Sequence, residues 1–250
     1  MKIFETHAHL NFKDFNKDRE QLLKKCKASG IEYVINIGVD EKTSKNSIDL
    51  AKKYDFIYAT VGYHPHDAKK FDEKIIRELA KHKKVVAIGE IGLDYYRNLS
   101  PKEIQIQVFK KQLEIALDLN LPVVIHDREA HEDCFDILNK YKIKKVVFHC
   151  FSGDEIFAEK VIDKGWFISF TGIITYKNSI MENIVRIVPE NKFFVETDSP
   201  YLSPVPFRGK RNSPLNLRYI IEKISEVKQI SPKKVADLSF NNAIDFFNIN

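Results

Sequence analysis

The sequence predicts an α/β fold, a single (β/α)8 TIM barrel over residues 1–250, and three observations carry that prediction. Eight short apolar runs recur along the chain, each followed by a longer segment of helical period. Most of these runs are rich in Val and Ile rather than alternating, the pattern of strands buried on both faces of a parallel sheet. No G-x-G-x-x-G or G-x-x-x-x-G-K-[ST] follows an early run, where an open doubly wound sheet would normally carry its phosphate turn. A chain of 250 residues is an ordinary length for one such barrel.

Taken in order, strands are expected over 2–6, 33–38, 57–62, 85–89, 122–126, 145–149, 166–170 and 193–197. The helices between them have readable ends. Gly30 follows the first helix, as the residue type that best tolerates a left-handed backbone there. Ser100-Pro101-Lys102-Glu103 reads as a capping box with proline at the first helical position, opening the fourth helix. Gly165 closes the sixth, and Ser231-Pro232 opens a last helix running toward Phe246. No low-complexity linker, break in composition or repeat divides the chain, so one domain is expected.

The hydrophobic content of 44% supports a sizeable core, and no apolar run approaches the roughly 20 residues needed to cross a bilayer. The net charge of +5 comes from lysines spread along the helical segments, which favours a polyanionic partner only mildly. Three scattered cysteines, Cys26, Cys134 and Cys150, with no CxxC, argue against a disulfide framework or a thiolate zinc site. Too few residues precede His7 for an export signal, so the expected location is the cytoplasm.

A barrel of this kind places its chemistry at the C-terminal ends of its strands, so the strand ends are the place to look for function. The first run carries His7-Ala8-His9, and alternate residues of a strand project the same way, making a chelating pair. Glu90 stands just past the fourth run, His126 ends the fifth, His149 the sixth, and Asp198 follows the eighth. Each has a plain alternative when taken alone. His126 or His149 would satisfy a neighbouring backbone carbonyl, Glu90 a salt bridge, and Asp198 a helix cap in Thr197-Asp198-Ser199-Pro200. Together, at one rim, they predict metal binding, because an unpaired buried charge costs several kcal/mol. Four imidazoles and two carboxylates exceed one tetrahedral ion, so two divalent ions sharing Glu90 are expected, with Zn, Mg and Mn all compatible.

The local motifs are more specific. Glu5-Thr6-His7-Ala8-His9-Leu10, Gly62-Tyr63-His64-Pro65-His66, Gly89-Glu90-Ile91-Gly92-Leu93-Asp94-Tyr95, His149-Cys150-Phe151-Ser152-Gly153, Glu196-Thr197-Asp198-Ser199-Pro200-Tyr201-Leu202 and Arg208-Gly209-Lys210-Arg211-Asn212 occur in this order. Together they resemble the TatD family of metal-dependent deoxyribonucleases, within the amidohydrolase-type metal barrels, over essentially the whole chain. Glu5 stands where an aspartate is common. The resemblance implies that His7, His9, Glu90 and Asp198 hold one ion and that Glu90, His126 and His149 hold the other. It also implies a metal-activated water as nucleophile, with Asp198 as ligand and proton acceptor, and an exonuclease-type activity on single-stranded DNA ends.

Groups for a phosphodiester substrate are sought around the same rim. Arg97, Arg128, Arg208 and Arg211 offer planar forks suited to phosphate oxygens, each with a loop salt bridge as its alternative, and Lys210 lies among them. His64 is a candidate hydrogen-bond donor or acid near the scissile phosphate, held by Pro65. Tyr63, Tyr95 and Tyr201 are candidates for base stacking, with rim packing as the alternative. His82 and His131 are expected to be solvated, and Cys150 to pack behind the barrel. The rival enzyme reading keeps the two ions but hydrolyses a small phosphorylated or acyl substrate, including an aminoacyl ester on tRNA. A nucleic-acid-binding barrel that has lost catalysis would carry a degraded ligand set, and this set is complete.

Overall fold

A computed structural model describes residues 1–249. Its eight strands are β1 (Ile3–Ala8), β2 (Ile31–Asn36), β3 (Ile57–Val61), β4 (Val85–Asp94), β5 (Val123–Arg128), β6 (Val146–Phe148), β7 (Phe167–Phe170) and β8 (Phe193–Val195). They form one sheet in sequential order, every adjacent pair parallel. A parallel bridge between Ala8 and Ser199 joins the two edges and closes the barrel. Closure removes the exposed edges that an open sheet would leave. The (β/α)8 expectation therefore holds.

The connections are helical throughout: α1 (Arg19–Ala28), α2 (Glu41–Lys53), α3 (Glu73–Leu79), α4 (Lys102–Asp118), α5 (His131–Tyr141), α6 (Glu155–Asp163), α7 (Met181–Ile187) and α8 (Leu217–Lys228), then α9 (Pro232–Phe247). Gly30 and Gly165 lie just past α1 and α6 with positive φ, as expected of left-handed helix exits. Ser231 caps α9 through a bond from the Lys234 amide. The capping box expected at Ser100 does not form. The Ser100 hydroxyl instead donates to the His66 carbonyl at 2.9 Å, and Pro101 occupies the cap position. A buried hydroxyl that can tie two rim loops together has a better partner than a helix end that solvent also satisfies.

Packing explains where the site sits. Val124, Val147 and Phe194 stand two residues before His126, His149 and Glu196, and alternation along a strand puts each pair on one face. Those apolar residues cluster with Phe246 and Phe247 of α9, so the barrel interior below the polar groups is filled and dry. A larger cluster lies between the strands and the surrounding helices. Polar side chains confined above an apolar plug are held rigidly, because no water replaces them from beneath. Among the described residues, no helix is long and apolar enough to cross a membrane.

Candidate metal centre

β4 is longer than the sequence pattern indicates, so Glu90 lies within the strand rather than beyond it. Its extension is braced from α4. Gln105 accepts from the Asp94 amide at 2.8 Å and donates to the Asp94 carbonyl at 3.1 Å. Gln112 does the same for Tyr63 after β3, at 2.7 and 3.0 Å. These two buried amides fix the loop that carries His64 and the end of β4 that carries Asp94. At the barrel seam, the Asp198 amide donates to the His7 carbonyl at 2.9 Å and the His9 amide to the Ser199 carbonyl at 2.7 Å. That zipper places both histidines of the first strand against Asp198. Asn212 fastens the far end of the same loop, donating to the carbonyls of Thr197 and Tyr201.

All six sequence-predicted ligands converge in one place. His7 Nε2 and His9 Nε2 are 3.3 Å apart. Asp198 Oδ1 lies 3.5 Å from the first and 3.3 Å from the second, and Glu90 Oε2 lies 3.5 and 3.7 Å from them. Donors at the corners of a tetrahedron with bonds of about 2.0–2.2 Å stand about 3.3–3.6 Å apart, so His7, His9 and Asp198 have the spacing of ion ligands, and Glu90 groups with His64 and His126 in the same way. Glu90 turns its other oxygen the opposite way. Its Oε1 is 2.9 Å from His126 Nδ1, 2.9 Å from His149 Nε2 and 3.5 Å from His64 Nε2. One buried carboxylate thus faces two groups of imidazoles with one oxygen each, the donor set expected of a bridging ligand.

The electrostatics differ from one histidine to the next. Burial, then the charge of His149, holds His7 below the ordinary imidazole range. Burial and the neighbouring His126 hold His64 well below it. Neutral imidazole is the form that binds metal. Burial pushes the Glu90 carboxyl up, but His149, His64 and the bonds from His126 and His149 outweigh it and hold the group well below the usual carboxylate range. Burial also opposes charge on His149, yet Glu90 and Glu196 raise it well above the usual value.

Three further carboxylates support these ligands without a role having been legible in the sequence. Asp94 Oδ2 lies 2.8 Å from His66 Nε2 and 3.1 Å from His126 Nε2, and burial is outweighed by these bonds so that it stays ionised. Glu196 accepts from the Cys150 amide at 2.7 Å and faces His149 Nδ1 at 3.4 Å. Glu5 accepts from the amides of His7 and Thr197 and from the Thr197 hydroxyl, at 3.2, 2.9 and 2.6 Å; burial raises it to about 8. Carboxylates behind metal-binding histidines orient the rings. Asp94, four residues after Glu90, and Glu196, two before Asp198, were visible in the motifs only as neighbours of ligands.

Other expectations are corrected. Arg211 is not free for phosphate: its guanidinium holds both oxygens of Asp18, at 2.8 and 2.6 Å, and the Asp14 carbonyl at 2.7 Å. Tyr63 is buried and packs on Phe71, so it offers no face for bases, whereas Tyr95 donates its hydroxyl to Asp133 and holds the Lys102 ammonium 4.1 Å from its ring centre. His131 is paired with Asp127 at 2.6 Å rather than solvated. Cys150 lies beyond the end of β6, with its sulfur 3.5 Å from the Thr171 hydroxyl and burial pushing its thiol up to about 12, so it neither packs behind the barrel nor offers a thiolate. Arg97, Arg128 and Arg208 are exposed on the rim and make no ion pair among the described residues. Arg128 lies 4.0 Å from the centre of the Tyr96 ring and Arg208 4.1 Å from that of Tyr176.

Known proteins share this sequence and this fold. The chain is 40% identical to an uncharacterized metal-dependent hydrolase of Bacillus subtilis, YabD, over 99% of this chain and 100% of that protein. It is 32% identical to a protein of Erwinia tasmaniensis named 3'-5' ssDNA/RNA exonuclease TatD, over 99% of this chain and 100% of that one. The crystal structure of YjjV, a TatD homologue from Escherichia coli, superposes with a TM-score of 0.93 at 27% identity, covering 99% of this chain and 98% of that chain. The family model described as TatD related DNase matches residues 4–248, and the chain belongs to that family of metal-dependent hydrolases.

Proposed function

We propose that the protein is a metal-dependent phosphodiesterase acting on the ends of single-stranded DNA, with two divalent ions shared through Glu90. The observation that carries this reading is the division of Glu90 between His7, His9 and Asp198 on one side and His126 and His149 on the other. The donor set fits the metals: mixed imidazole and carboxylate ligands at ion-shell spacing suit Zn, Mn or Mg. When bound, such ions lower the pKa of water toward neutrality and polarise a phosphoryl oxygen.

The remaining steps belong to the chain's own residues. Asp198 Oδ1 stands between His7 and His9 at the open end of the barrel, where it accepts the proton of the attacking water. The His64 Nδ1 accepts from the His66 amide at 3.1 Å, so the neutral ring carries its proton on Nε2, beside Glu90. That geometry makes His64 a hydrogen-bond donor to a non-bridging phosphate oxygen; as a ring kept neutral by burial it is ill-suited to act as an acid. Asp94 holds His126 from behind and keeps its ring aimed at Glu90. Arg97, Arg128 and Arg208 supply cationic donors around the opening.

The 3'-5' ssDNA/RNA exonuclease name of the Erwinia relative supports this substrate class. The test is to strip the protein with chelator and follow an end-labelled oligonucleotide as Mg²⁺, Mn²⁺ or Zn²⁺ is restored. Stepwise shortening that depends on the added metal is expected; intact substrate with a folded, metal-loaded protein would overturn the reading. Competition by oligonucleotide in a small-ester hydrolysis assay separates it from an amidohydrolase or esterase, whose site would be indifferent to the competitor.

A further inference from the structure

The exposed apolar side chains are not scattered. Of the eight large ones among the described residues, five (Tyr96, Leu99, Ile180, Tyr201 and Val205) lie in loops between the C-terminal end of a strand and the helix that follows it, and Ile156 stands in the first turn of α6. Solvent-exposed apolar groups gathered on one face mark a binding surface. Two of the six are aromatic. Tyr96 is 55% and Tyr201 54% exposed, so each ring keeps a face open.

Their positions are not equivalent. Tyr201 follows β8 and sets its ring 6.2 Å from that of His9, at the seam where β8 meets β1. Tyr96 follows β4 and lies under the guanidinium of Arg128, the last residue of β5. In a closed barrel of sequential strands, β4 and β5 stand half a turn from the seam between β8 and β1. The polar groups between the two rings run in order across the mouth: His9 and Asp198, then Glu90, then His126 and Asp94.

We infer that Tyr201 and the Tyr96–Arg128 pair are two base-stacking platforms on opposite sides of the metal centre, and that their ligand is a single-stranded polynucleotide crossing the barrel mouth. A base rests on each platform and the backbone between them passes over Glu90. Stacking on an aromatic face accepts any base, and Arg128 adds a cation to its platform, so the surface recognises the polymer rather than its sequence. The unpaired Arg97 and Arg208 match the charge of its backbone. Double-stranded DNA, with its bases turned inward, cannot use either ring.

The inference rests on the phosphodiesterase reading and is tested apart from it. Binding of a fluorescein-labelled oligothymidylate and of an abasic strand of equal length is measured by anisotropy on the Asp198→Asn protein, alone and combined with Tyr96→Ala or Tyr201→Ala. The parent is expected to prefer the base-bearing strand, and each alanine to reduce that preference about tenfold. Tyr96→Phe and Tyr201→Phe, which keep the ring, are expected to restore it. Using the ratio of the two affinities removes general loss of binding, and Tyr→Leu replaces any alanine variant that fails to fold. Equal affinity of the parent for both strands, or a preference that the alanine variants leave intact, would overturn the inference. Metal-dependent shortening of the same oligothymidylate by the unsubstituted protein, together with absent base preference, would leave the phosphodiesterase standing and remove the platforms; a base preference lost in the alanine variants, with no shortening, would keep the platforms and remove the phosphodiesterase.

Discussion

Gly92 stands opposite His126 in the ladder between β4 and β5, and a Cβ placed on Gly92 would come 2.0 Å from the His126 carbonyl oxygen. Its φ of +139° is also one that side chains rarely adopt. Two residues from Glu90 and facing a metal ligand, this glycine lets adjacent strands approach closely enough for His126 to reach Glu90 Oε1. Gly92→Ala is expected to destabilise the protein by about 3 kcal/mol and to lower its metal content, read by urea denaturation and elemental analysis. Gly209→Ala is the comparison: φ is +80° but nothing lies within 4 Å of its Cβ, so about 1 kcal/mol and unchanged metal content are expected.

The proposed sharing of Glu90 makes the two proposed ions separable by mutation. His9 touches only the side formed with His7, Asp198 and Glu90 Oε2. His9→Ala is therefore expected to lose one ion preferentially, whereas Glu90→Gln, which weakens both oxygens as ligands, loses both. Metal-to-protein stoichiometry after dialysis against a weak chelator distinguishes them, and equal depletion of both ions in His9→Ala would count against the division. Asp198→Asn is expected to abolish turnover while oligonucleotide binding is largely kept.

The contrast between Asp94 and Glu90 shows how far the sequence carried the site. Glu90, His126, His149 and Asp198 are legible as candidates because a parallel barrel turns strand ends into a rim, where residue type and position single them out. Asp94 has the same type and nearly the same position, yet its role is decided by an extension of β4 beyond Gly89 and by Gln105 of α4 bonding the Asp94 backbone. Such bracing depends on contacts between elements, which periodicity does not encode. Arg211 fails for the same reason: its cluster with Arg208 and Lys210 was readable, but Asp18, far away in sequence, was not. The barrel itself was legible since each strand's apolar run and each helix's exit are local.

Arg128 and Arg211 are expected to behave differently as alanine variants, although both lie on the rim. Arg128 makes no ion pair among the described residues, and Arg128→Ala should weaken oligonucleotide binding and reduce the slope of log affinity against log salt by about one unit or less. Arg211 is a strut between the loop after β8 and the segment before α1, so Arg211→Ala should leave the salt slope unchanged and cost roughly 0.5–1 kcal/mol of stability. Titrations at several salt concentrations read the first effect and thermal denaturation the second.

The Asp127–His131 pair predicts a pH dependence that is independent of the metals. The Asp127 carboxylate, 2.6 Å from His131 Nδ1, outweighs partial burial and raises the imidazole above its ordinary value. A group whose folded pKa is raised contributes stability fully below its unfolded pKa of about 6.5 and loses that contribution as pH rises through the folded value. The ring is partly exposed, so solvent screening limits the pair to about 0.5–1 kcal/mol. His131→Gln is therefore expected to be less stable than the parent by that amount more at pH 5.5 than at pH 9. The stacking of His131 on Phe157, with ring centres 4.9 Å apart, is lost in the variant at both pH values and cancels in the comparison. Urea midpoints of the two proteins across this range measure the difference, and a gap that stays constant or widens toward pH 9 would show that Asp127 does not hold the proton on His131.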